Sequence, residues 1–84
     1  MANKVFDIEH QYKLYLERVQ ITEDQMHPVQ KIETKRAFMG AIGQSLLLLT
    51  NEVAELEEEE AMETISSLIS QVEKFFLNEV KNMN

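Results

Sequence analysis

Seven carboxylates stand within twelve residues, Glu52, Glu55, Glu57, Glu58, Glu59, Glu60 and Glu63, with no Lys or Arg among them. Oxygen ligands at that density could hold a divalent cation, and paired carboxylates could exchange a proton with a substrate. The same run could dock a basic partner, imitating the phosphates of a nucleic acid. Against these stands the commonest role of a charge block, a solvated surface that keeps the chain in solution. A second set, Lys31, Lys35 and Arg36, gathers three cations near the expected start of a helix, where free backbone amides also favour anions. With Tyr12 and Tyr15 nearby in a folded bundle, it is a candidate anion site for a small nucleotide-like ligand. Pairing with Glu33 and neighbouring carboxylates is the plainer alternative.

Other chemistry has little to stand on. The chain has no Cys, which removes disulfides and thiolate metal sites and fits a reducing compartment. His10 and His27 lack the i, i+4 spacing of a zinc pair and read as surface or capping residues. There is no Gly-rich phosphate loop and no Ser/His/Asp arrangement. The expectation is therefore no catalytic residue, no metal and no cofactor.

The elements that must position these groups read as helices. Gly and Pro together number only three, so hairpin signals are missing. The first helix is expected over about residues 8–19, capped by Asp7, with Ile8, Tyr12, Tyr15, Leu16 and Val19 on one stripe. Thr22 to Met26 reads as a turn, Thr22 and Gln25 resembling a capping box. Pro28 suits the first position of the second helix, since its φ is already helical and its missing amide costs nothing there. In that helix Ile32, Met39, Leu46 and Val53 recur every seven residues with Ile42, Leu49 and Leu56 beside them, a heptad seam that extends the expected helix to residue 57. The third helix is expected over residues 59–81, with Ala61, Ile65, Leu68, Val72 and Phe75 on one line and Met62, Ile69, Phe76 and Met83 on the next. The apolar phase changes between Leu56 and Ala61, which places a turn within residues 57–60. Four adjacent glutamates favour the N-terminus of helix three and disfavour extending helix two through them.

The fold class is thus all-α, a single helical domain over residues 1–84. A short N-terminal helix packs on a long antiparallel helical hairpin, assembled into a helical-bundle homo-oligomer. The assembly follows from Ala37 to Leu49, which is apolar or small almost all round and needs cover on most faces. Helices one and three cover only part of it. Met39, Gly40, Ile42, Gly43, Leu46, Leu47 and Leu49 are the expected oligomer or partner interface, Gly40 and Gly43 allowing another backbone to approach. Met26, Met39, Met62 and Met83 read as core filling rather than as an adaptable surface. That stretch is too short to cross a bilayer and no signal-peptide pattern is present, so the expected location is the cytoplasm.

The formal charge of −7 is unevenly held. Residues 1–42 carry 6 basic and 6 acidic side chains, and residues 43–84 carry 2 and 9. A net acidic chain of this kind is a poor nucleic-acid binder, because phosphate contacts require positive patches.

Two resemblances bear on function. Glu52-Val53-Ala54-Glu55-Leu56 resembles the first ExxE helix of all-α nucleotide pyrophosphohydrolases, in which two carboxylate pairs on different helices hold Mg²⁺ against a nucleotide's phosphates. The second pair would have to be Glu60 and Glu63, too soon after the first for two facing helices. The stretch from His27 to Gly40, followed by Gln44 and the acidic tract, resembles small uncharacterised acidic helical proteins of Bacteroidota phages and prophages. That likeness transfers no catalytic residue. It implies a protein of the host cytoplasm that binds a host factor or defence system, either blocking a protein or sequestering a nucleotide signal. With no catalytic constellation in the chain the expected function is non-enzymatic binding, a nucleotide sponge being the alternative and the pyrophosphohydrolase of the ExxE likeness a second.

Overall fold

In the computed structural model the described residues are 4–82, and all their regular structure is helical. A 3₁₀ turn over Lys4–Phe6 leads into α1 (Ile8–Arg18), a second over Glu23–Gln25 precedes α2 (Pro28–Asn51), and a third over Val53–Glu55 precedes α3 (Glu58–Asn82). The residues group into two compact units, Met1–Gln44 and Ser45–Asn84. Met83, expected to extend the third helix's apolar line, lies outside the described residues.

Local chemistry accounts for each helix start. Asp7 has extended backbone angles and its carboxylate accepts from the Glu9 amide at 3.1 Å, the N-cap geometry that satisfies an otherwise free donor. His27 does the same before Pro28, its Nδ1 accepting from the Val29 amide at 3.2 Å. In the intervening turn the Gln25 side-chain oxygen accepts from the Thr22 amide at 3.4 Å, the reciprocal half of a capping box.

Helix ends differ more from the sequence reading. α1 stops at Arg18 in a Schellman arrangement, with the Gln20 amide donating to Glu17 O and the Ile21 amide to Leu16 O, both at 3.1 Å. That closure needs a left-handed residue, and Gln20 supplies it at φ 60° although it is not glycine. α2 ends at Asn51, six residues before the expected boundary at 57. The Thr50 hydroxyl donates back to Leu46 O at 2.9 Å, a bond that competes with the helical ladder. Val53 then turns inward, only 5% exposed, in a 3₁₀ turn. The heptad count ran through this turn because an apolar residue was needed at Val53 for a different reason: it fills the bend instead of lining a helix. α3 begins at Glu58, with Glu58, Glu59 and Glu60 in its first turn, where the positive end of the helix dipole favours carboxylates. The turn therefore occupies residues 52–57 rather than 57–60.

The first unit holds a small core of Tyr12, Leu16 and Met26, with Phe38 and Met39 packed against it. The rings of Tyr12 and Tyr15 each lie 5.3 Å from that of Phe38, within the range of favourable aromatic contact. In the second unit Val53 is the one described hydrophobic residue that is buried, and α3 buries none.

Candidate functional site

Lys31, Lys35 and Arg36 do come together. All three line one shallow concavity with Ile32, Met39 and Glu23, the glutamate contributed by the turn before α2. Their charges are largely answered by neighbours. Lys35 pairs with Glu9 of α1, and Arg36 donates to Glu33 one turn back at 3.0 Å. Hydrogen bonding to Glu9 raises the Lys35 pKa, and its ammonium lies 5.7 Å from the centre of the Tyr12 ring. Both ion pairs are solvent-exposed, so screening keeps their contribution to stability small.

Tyr12 is the most enclosed side chain beside this cluster, 2% exposed. Burial raises its pKa above the ordinary phenol value, and the charge of Glu23 pushes the same way. The hydroxyl makes no hydrogen bond of ordinary length, the Glu23 carboxylate stopping short of one. Glu9 and Glu23 are the members that sequence reasoning missed. They come from other elements, and only the fold reveals them as counter-charges.

The acidic residues divide between two settings. Glu52 and Glu55 belong to the 3₁₀ turn after α2, so the ExxE spacing does not lie on an α-helix. Glu57, Glu58, Glu59, Glu60 and Glu63 are exposed, and Glu57, Glu58 and Glu59 line a shallow depression with Met62. No cluster of His, Cys, Asp or Glu with the geometry to hold a metal ion occurs among the described residues.

Of the seven residues expected at the α2 interface, Met39 and Ile42 are half-buried, Met39 against the first unit's core. Gly40, Gly43, Leu46, Leu47 and Leu49 are exposed. A Cβ added at Gly40 or Gly43 would meet no atom within 4 Å, so neither glycine serves a close approach within the chain.

A more apolar concavity lies elsewhere. A groove of about 500 Å³ runs in the second unit between the last turns of α2 and α3, with Leu48, Leu49, Ile65, Ile69, Val72 and Phe75 among its walls. Beside it Phe76, Leu77 and Val80 are exposed. The sequence carried a signal for this surface, the seven-residue spacing of Met62, Ile69 and Phe76, but a stripe on the final helix of a small bundle reads as core. No helix among the described residues is long and apolar enough to cross a membrane. No protein-family profile, curated protein or solved structure matches the chain.

Proposed function

We propose that this chain is a non-enzymatic binding protein that works through helix-mediated self-association and offers its acidic segment, Glu52 to Glu63, to a basic protein surface. The observation that carries the reading is the balance of apolar side chains. Four described hydrophobic residues are buried, whereas nineteen large ones are exposed, most of them on α2 and α3. Exposed apolar surface of that extent belongs to an interface. Its use by a phage-encoded inhibitor of a host factor or defence system rests on the sequence resemblance alone.

The pyrophosphohydrolase alternative loses support from the ExxE pair, which falls in a turn. The nucleotide-sponge alternative keeps the three clustered cations in its favour but must displace Glu9 and Glu33 from two of them. Light scattering at micromolar concentration tests the favoured reading. A multiple of 9.8 kDa is expected, and a monodisperse monomer of 9.8 kDa overturns it.

A further inference from the structure

We infer that the partner of α3 is α3 of a second copy, packed antiparallel along the seam of Met62, Ile69, Val72 and Phe76. This inference rests on the self-association reading and names its surface, which differs from the α2 positions expected from the sequence.

The seam is present and uncovered. Met62, Ile69 and Phe76 are seven residues apart, with Ile65 and Val72 three residues after the first two, the spacing of a two-helix seam. Ile65 is half-covered by its own chain, while Ile69, Val72 and Phe76 are 54%, 57% and 54% exposed. At about 1.5 Å per residue, the 25-residue helix offers roughly 37 Å of such surface.

The surface area is of the size a dimer requires. The chain exposes 7508 Å². Surface scales with mass so that a compact monomer of 9.8 kDa exposes about 5,200 Å², and two separately compact halves about 6,200 Å². The excess over even the larger figure, about 1,300 Å², is above the roughly 800 Å² that each partner contributes to a standard interface.

Charge selects the direction. Glu58, Glu59 and Glu60 open α3, and Lys81 lies in its last turn. A parallel pair would set the two glutamate runs side by side. An antiparallel pair separates them by a helix length, places each beside the end bearing Lys81, and opposes the two helix dipoles. A two-fold axis passing beside Ser70 and Gln71 sets Ile69 on Val72 of the second copy and Phe76 on Ile65 of the second copy, with Met62 opposite Glu79 of the second copy. The contact is isologous, so it closes on two copies. A basic amphipathic helix would suit an anionic membrane surface, but α3 carries six glutamates against two lysines.

Sedimentation equilibrium and cross-linking test this. Ile69→Glu is expected to raise the dimer dissociation constant at least about a hundredfold, since both copies lose the contact. Helical circular dichroism checks that the variant folds. Because the chain has no Cys, single cysteines report direction cleanly. A mixture of Met62→Cys and Glu79→Cys chains should cross-link through a short bismaleimide, whereas Met62→Cys alone should not, its two copies standing about 25 Å apart along the helices. Self-cross-linking of Met62→Cys would overturn the antiparallel arrangement. Dimers that survive Ile69→Glu but dissociate on Gly43→Leu would overturn the α3 seam and leave self-association through α2 standing. Monomers at every concentration would overturn both, as would monomers that bind anionic vesicles through α3.

Discussion

The two halves of this chain solve the same problem differently. In residues 1–44 a short helix and the start of a long one enclose Tyr12, Leu16 and Met26, add Phe38 and Met39, and tie the arrangement with the Lys35–Glu9 pair. Among the described residues of the second half, 45–82, the longer helix α3 has no buried residue and Val53 is the one buried hydrophobic side chain. Helix length and amphipathicity do not by themselves make a core. The difference lies in turn chemistry: the Schellman closure at Gln20 and the turn at Glu23 bring apolar residues onto one another, whereas the bend after Asn51 buries Val53 and leaves Ile65 and Leu68 of α3 half-covered and Ile69, Val72 and Phe76 exposed.

Truncation inside the first core gives the largest expected effect. Tyr12→Ala removes a fully enclosed ring and should cost about 3–5 kcal/mol, read by urea denaturation and independent of protein concentration. Val53→Ala, the matching change in the second half, should cost about 2 kcal/mol. Equal losses at the two positions would erase the contrast between the halves.

Tyr12→Phe sharpens the comparison from the opposite direction. It keeps the ring and deletes a buried hydroxyl with no hydrogen-bond partner, so stability should rise by about 1 kcal/mol. The pH dependence provides a second readout. Because the folded-state pKa of Tyr12 is raised, the folded chain holds its proton more tightly than the unfolded chain, and stability falls as pH climbs above about 10. Lys35, also raised, adds to the loss in the same alkaline range. Urea titrations at pH 8 and 11 should show a shallower decline for Tyr12→Phe than for the parent chain.

Backbone substitutions should give the smallest changes. Gln20→Gly relieves a left-handed residue and should stabilise the first half by roughly 0.5–1 kcal/mol. Gly40→Ala, with open space around its Cβ, should stabilise by about 1 kcal/mol through helix propensity alone. Destabilisation by Gly40→Ala that appears only at high protein concentration would place α2 in an intermolecular contact. Thermal denaturation across a hundredfold range of concentration separates these outcomes.

Much of the fold was legible because helix starts are written in adjacent residues. Asp7, and His27 with Pro28, act within a few positions of themselves. Ends were harder. Gln20 adopts the conformation that glycine would have announced, and Asn51 closes a helix with neither Gly nor Pro to mark it. Periodicity misled at Val53, since an apolar residue in a buried turn and one on a helical seam look alike in sequence. For the candidate site, the cations Lys31, Lys35 and Arg36 were recognisable as neighbours on one helix, but Glu9 and Glu23 reach them only through tertiary structure. The apolar stripe of α3 was equally visible, but its exposure was not, because spacing alone does not say which residues of a stripe the rest of the chain covers.

The chain has no Trp, and its only two tyrosines both lie against Phe38 in the first half. Intrinsic ultraviolet emission is therefore an optical label for residues 1–44 alone. Melting followed by tyrosine fluorescence reports that half, while far-ultraviolet dichroism, to which the 25 residues of α3 contribute, follows the helices of both halves. Non-coincident curves from the two wavelengths would let one untagged sample display the two halves as separate transitions.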